Sequence, residues 1–354
     1  MTEFMITLRD ATDSDALAMQ SRYITFTDEN SAETEPGVAD WVRQLMAGAT
    51  ANAGDTELTS NGVGAARRGD VLFLIHGFNV NHQAAKAFHM KCAQHLRSIG
   101  WCGQVVSFDW PSDGVTFAYL PDRANARASA SRLVTDAIAL LERTQATDCT
   151  IDVHVMAHSM GAFVLQQAFC WAYQDVSPSW QVAQVLLVAA DVDTSAFDDG
   201  AIFSTAFAKY GGRLTAYCNG YDKALLASNA KRLELAPRMG RVGLPDDAPD
   251  TMCEVDCSDL FAKFDDDPDA MLSPVTTHCF YFDQEEFWQD AVLTLAGGLV
   301  PSRYPTRLPM PGTTTPNRYI LNPDGTSPND YSQALRRSSV SLAVGTCHPP
   351  STPL

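Results

Sequence analysis

The chain has 354 residues, 45% hydrophobic and 19% charged, a balance that fits a soluble globular protein with ample length to bury a core. Its formal charge of −17, with adjacent basic residues no more than pairs such as Arg67-Arg68 and Arg336-Arg337, argues against a nucleic-acid partner, whose phosphates would be repelled. The longest apolar runs, such as Val185-Leu186-Leu187-Val188-Ala189-Ala190, are strand length and far short of the ~20 residues of a membrane span, so no integral membrane association is expected.

Nine cysteines are scattered along the chain, several inside apolar patterns as buried thiols are. Cys253 and Cys257 have no second Cys/His pair at finger-like spacing, so no structural metal is expected. The first residues, Met1-Thr2-Glu3-Phe4-Met5-Ile6-Thr7, have neither the basic flank nor the apolar core of a secretory signal. A reducing, cytoplasmic compartment is the expectation.

In chain order, residues 3–9 alternate as a strand. The segment from about 27 to 69 is polar and Gly/Ala-rich, and reads as a variable lead-in with one short helix near Trp41, Val42, Leu45 and Met46. Val71 to Ile75 is a continuous apolar run, the mark of a strand buried on both faces of a parallel sheet. Ala84, Phe88, Cys92 and Leu96 then define a helix, Val105 to Phe108 a strand, and Ala130, Leu133, Ala137 and Leu140 a second helix. Ile151 to Met156 is a strand, followed by the helical stripe Val164, Leu165, Ala168 and Phe169. Strands follow at 182–190, 214–218 and 253–255, and Phe287, Ala291, Val292 and Leu295 give a last helix.

Strand and helix patterns alternating over some 230 residues imply an α/β fold, with a mostly parallel central sheet covered by helices on both faces. Three regions are expected: 1–68 as N-terminal strand and lead-in, 69–300 as the catalytic domain, and 301–354 as a Pro/Thr/Ser-rich C-terminal extension. The last region lacks a sustained period, so the sheet should be complete before Pro301.

The chemistry concentrates at Ala157-His158-Ser159-Met160-Gly161, where a β-branched strand stops at a small-x-Ser-x-Gly turn and becomes a helix. That is the form of a nucleophile elbow, which exposes a serine hydroxyl on a sharp turn. A serine needs a general base, and the base a carboxylate to hold its tautomer. In a parallel sheet such groups gather beyond the carboxyl ends of the strands. That criterion sorts the histidines. His82, His89 and His95 fall on or beside the first helix, His154 inside a strand, and His348 in the tail. His158 adjoins the serine and should point away from it. His76 precedes Gly77 and reads as support for an oxyanion loop. His278, in a loop before the last helix, remains as the base.

Asp222 follows the strand 214–218 and is favoured as the acid, with Asp193 its competitor and Asp191 within reach; Asp109, before Trp110-Pro111, reads as loop-shaping. Oxyanion donors are expected at the N–H of Met160, directly after the serine, and of Phe78, where Gly77 lets the backbone pass close to the substrate. Phe78, Trp110, Phe117, Tyr119 and Tyr221 could line an apolar acyl pocket.

Leu74-Ile75-His76-Gly77-Phe78-Asn79-Val80, Phe108-Asp109-Trp110-Pro111-Ser112, Ala157-His158-Ser159-Met160-Gly161, Ala190-Asp191-Val192-Asp193 and Asp222-Lys223-Ala224-Leu225, in that order, resemble the α/β-hydrolase superfamily. More narrowly they resemble a bacterial branch of unknown function labelled "esterase/lipase superfamily enzyme", in which a proline is common where Ala190 stands. The resemblance covers about residues 69–297. It implies an α/β-hydrolase fold, a Ser159/Asp222/His278 triad and carboxyl-ester hydrolysis as the default activity, but no particular substrate. The expectation drawn from the residues is a serine hydrolase that acts through an acyl-enzyme on uncharged, modest-sized carboxylic esters, with no cofactor and no metal. Lipase, thioesterase, amidase or acyltransferase chemistry would use the same triad, and a non-catalytic binding module could keep the fold.

Overall fold

A computed structural model of the chain describes all residues except 13–15, 52–66, 113–118, 145–148, 175–179, 233–235, 264–273 and 343–354. The strands are β1 (Glu3–Arg9), β2 (Leu17–Phe26), β3 (Arg67–Ile75), β4 (Gln104–Asp109), β5 (Cys149–His158), β6 (Val182–Val188), β7 (Gly211–Cys218), β8 (Met252–Asp256), β9 (Arg307–Pro309) and β10 (Arg318–Leu321). They form a single sheet in the order β2-β1-β4-β3-β5-β6-β7-β8-β10-β9. All neighbours pair in parallel except the two edge pairs, β1 with β2 and β10 with β9.

The first helices are α1 (Val38–Ala51), α2 (His82–Ser98), α3 (Tyr119–Arg132), α4 (Ala139–Thr144), α5 (Met160–Gln174) and α6 (Ile202–Tyr210). After them come α7 (Lys223–Arg232), α8 (Met239–Val242), α9 (Ser258–Lys263), α10 (Pro274–Cys279), α11 (Glu285–Ala296) and α12 (Pro328–Leu342). None of the described helices is long and apolar enough to cross a membrane.

The continuous apolar strands divide their side chains between two cores. Val71, Phe73 and Ile75 of β3 enter one with Trp41 of α1, Ala130 of α3, Phe163 of α5 and Phe207 of α6. Leu72 and Leu74 enter the other with Leu96 of α2, Trp288 of α11 and Tyr331 of α12. Alternate residues therefore bury on opposite faces, which is why the strand needs no polar alternation. The α/β architecture with helices on both faces is the one the sequence implies.

The two ends of the chain depart from expectation. At the N-terminal end the helix expected near Trp41 is present and runs to fourteen residues with Trp41 and Leu45 fully buried, while β2, for which no strand is expected from the sequence, pairs with β1. The sheet is not complete before Pro301 either, since β10 pairs with β8 and β9 with β10. Strands of three and four residues are too short to reveal a period in sequence.

Candidate active site

The order β4-β3-β5 means that the chain leaves β3 in one direction and returns to its other side through β5. The carboxyl ends of β3 and β5 thus flank the point where such sheets open a crevice for ligands. Ser159 stands at that end of β5, directly before α5, with φ at 55°. Few residues with a side chain adopt such a left-handed angle, and those that do are held by their surroundings. Here the Ser159 N–H donates to the Val188 carbonyl at 3.0 Å, while its own carbonyl accepts from Ala162 N–H and Asp191 N–H.

The small residues around the turn have a steric cause. A Cβ on Gly161 would lie 2.5 Å from the Ile75 carbonyl oxygen and 2.6 Å from that of His76. A Cβ on Gly77 would lie 2.8 Å from the Ser159 Cβ. The loop after β3 therefore passes against the serine, and glycine permits the approach. Phe78 follows in that loop, half-buried, and Asn79 holds a left-handed φ of 61°. Met160 is the first residue of α5, so its N–H has no intrahelical acceptor.

Asp222 is fully buried in the turn between β7 and α7. Its Oδ1 accepts from Leu225 N–H at 2.9 Å, capping α7, and its Oδ2 lies 2.7 Å from His278 Nδ1. His278 sits on α10, a short helix where the sequence suggests a loop. That helix is tied to the same turn: Asn219 Nδ2 donates to the Thr277 carbonyl at 3.1 Å, and Lys223 N–H to Thr277 Oγ1 at 3.0 Å. Among the described residues no hydrogen bond joins His278 to the Ser159 hydroxyl. Such contacts commonly tighten only when substrate binds.

Burial pulls the His278 pKa down, but the charge and hydrogen bond of Asp222 and the charge of Asp191 outweigh it and leave the value raised. A carboxylate only accepts, so Nδ1 carries the proton and Nε2 is the free acceptor when the ring is neutral. Asp193 is occupied elsewhere, ion-paired with Arg238, and Asp191 accepts from Ser228 Oγ at 2.9 Å.

His158 does more than point away. Its ring lies 4.7 Å from that of His278, and its Nε2 is 3.3 Å from the His278 carbonyl, to which it donates. Burial first, then the neighbouring His278, hold its pKa well below the usual histidine range. It is a neutral buttress. Nothing in the sequence shows which way a side chain beside an elbow turns.

Asp109 and His76 form a second imidazole–carboxylate pair at 3.1 Å, but it has no free nitrogen: His76 Nδ1 lies 3.0 Å from the Gly77 carbonyl. Trp110 is fully buried and donates to the His76 carbonyl, so it supports the loop and does not line an acyl pocket. Tyr221 is about half exposed, tilted over Phe261. Phe117, His348 and the Tyr119 side chain lie outside the described residues. The other histidines are structural: His89 lies between Ser107 Oγ and Glu3, His95 stacks on Trp288, and His154 pairs with Asp70.

A central parallel sheet with a strained serine turn at the crevice defines an α/β hydrolase. The chain belongs to the family described as alpha/beta hydrolase of unknown function (DUF900), whose model matches residues 52–251. No protein of curated function matches the sequence. Among solved structures it is similar to esterase B from Lactobacillus rhamnosis, at 13% identity over 64% of this chain and 72% of that one, with a TM-score of 0.33. Carboxyl esterase 2 from Tuber melanosporum shares 10% identity over 97% of this chain and 85% of that one, with a TM-score of 0.32.

Proposed function

We propose that the protein is a serine hydrolase that cleaves small carboxylic esters through an acyl-enzyme. The observation that carries this reading is the buried Asp222–His278 hydrogen bond at the same edge of the sheet as the strained Ser159 turn. In the first half-reaction His278 Nε2 takes the Ser159 proton as Oγ attacks the ester carbonyl. The oxyanion formed accepts from the Phe78 and Met160 N–H groups. Collapse expels the alcohol, which receives its proton from His278. Water, activated by the same imidazole, then adds to the acyl carbon, and the acid departs as Ser159 recovers its proton. Every step is a proton transfer or an acyl transfer between this chain, ester and water, and no cofactor enters. We place this activity in the cytoplasm, and the catalytic unit at residues 69–300 with structural contributions from both flanks.

The test is covalent labelling with a fluorophosphonate probe, followed by turnover on a panel of esters of increasing acyl length. Ser159 should be the labelled residue, and Ser159→Ala should lose labelling and on the order of 10⁶ in turnover while remaining folded. Labelling elsewhere would move the nucleophile, and no labelling at all would favour a binding module on this fold. Higher turnover on thioesters or amides than on esters would reassign the substrate class while keeping the triad.

A further inference from the structure

The two carbonyls that follow β3 are each held by a buried donor. Trp110 Nε1–H donates to the His76 carbonyl at 2.9 Å. His76 Nδ1 lies 3.0 Å from the Gly77 carbonyl, and since a carbonyl oxygen only accepts, Nδ1 is the donor. The second ring nitrogen, Nε2, lies 3.1 Å from Asp109 Oδ1. Burial works against the Asp109 charge, but bonds from His76 and His82 and the charge of Arg9 hold its carboxyl well below the usual range. An ionised carboxylate also only accepts, so both ring nitrogens face acceptors and the ring is held from two sides. The ring is fixed in place, stacked on Trp110 at 5.4 Å with 10° between the planes.

Asp109 is itself anchored on three other sides. Arg9 Nε and Thr7 Oγ1 of β1 each lie 2.8 Å from it, and His82 Nδ1 of α2 lies 2.6 Å away. Arg9 also donates to the Val80 carbonyl at 2.6 Å and to that of Trp110 at 3.0 Å, so the first strand of the chain ties the loop after β3 to the segment after β4.

A trans peptide unit is planar, with its C=O and N–H pointing in opposite directions. Gly77–Phe78 is trans, and its C=O is turned onto the His76 ring. Its N–H, which belongs to Phe78, therefore points away from that ring, in a loop that runs against Ser159. We infer that His76, anchored by Asp109, is a positioning residue that orients the Gly77–Phe78 peptide so that the Phe78 N–H meets the oxyanion. The inference rests on the serine-hydrolase reading above.

The test compares kcat and KM of full-length wild type, His76→Ala and His76→Asn on a p-nitrophenyl ester, with circular dichroism and thermal unfolding as checks on the fold. Asparagine keeps an N–H donor near the Nδ1 position. His76→Ala should lower kcat about 100-fold with KM within about threefold, the scale of losing one oxyanion donor, and His76→Asn should recover at least about tenfold of that loss. A folded His76→Ala with kcat within about threefold of wild type would overturn the inference, and so would an Asn variant no better than Ala. Should His76→Ala not fold, His76→Leu fills the ring's space without a donor; Leu equal to Asn in kcat would also overturn it. The hydrolase reading fails separately, when wild type neither hydrolyses the ester nor takes a fluorophosphonate at Ser159.

Discussion

His278 Nδ1 lies 2.7 Å from Asp222 Oδ2 although 56 residues separate the two in the chain. The contact is made by two local devices. Asp222 caps α7 with one oxygen and faces His278 with the other, while Asn219 and Thr277 stitch α10 to the turn that holds Asp222. The carboxylate is thus both a helix cap and the partner of the candidate base.

That double use makes Asp222→Asn an informative substitution. Asparagine caps helices as well as aspartate does, so the fold should survive. Its amide cannot hold the imidazole with the proton on Nδ1 toward it and charge developing on the ring, so kcat should fall by roughly 10⁴. Asp193→Asn removes an ion pair with Arg238 and leaves His278 untouched, so its kcat should stay within about tenfold of wild type. Steady-state kinetics on the same ester would compare them. A larger loss from Asp193→Asn would place the acid on the turn after β6.

A second expectation concerns pH. The base works only when neutral, so activity is lost as pH falls through the His278 pKa. Although burial lowers that value, Asp222 and Asp191 raise it on balance, and the acid limb of kcat/KM should have its midpoint above the ordinary ~6.5. Asp191→Asn removes one of the charges that favour the protonated ring and leaves the Asp222 bond intact. Its limb should therefore shift to lower pH. Profiles from about pH 5 to 9 would check both statements, and a limb below the ordinary value in wild type would contradict the assignment of His278.

Much of this organisation is legible in the sequence because it follows from period and punctuation. Val71 to Ile75 reads as a strand buried on both faces and Ile151 to Met156 as a strand, and the residues at their carboxyl ends, His76 to Phe78 and Ser159, are the ones the sheet brings side by side. His278 and Asp222 are reached by elimination and chain order, and the fold sets their side chains against each other. What the sequence hides is tertiary. The role of His158 depends on a ring orientation, and that of Asp109 on a partner, Arg9, 100 residues away. Trp110 looks like a pocket aromatic until its indole N–H is found on the His76 carbonyl.

The C-terminal segment is the clearest of these cases, and it carries the last prediction. Arg307 and Asp290 are both fully buried at their side chains, joined by Nε to Oδ2 at 2.8 Å and Nη2 to Oδ1 at 2.7 Å. Asp290 also accepts from Tyr217 of β7 at 2.7 Å, and burial of its charge is offset chiefly by Arg307. A chain stopped at residue 300 would lose Arg307, the strands β9 and β10, and helix α12, whose Tyr331 and Ala334 are buried against the second core. Asp290 would be left as an uncompensated buried carboxylate. Such a chain should be insoluble or unfolded, contrary to what the low periodicity of the tail suggests. Within the full chain, Arg307→Ala should cost about 3–5 kcal/mol in urea unfolding, the usual penalty for breaking a buried pair from one side. Replacing both members by leucine should cost less than the single change, because neither charge is then left alone. A soluble, cooperatively folding chain that ends at residue 300 would show that the ion pair and the last two strands are dispensable to the core.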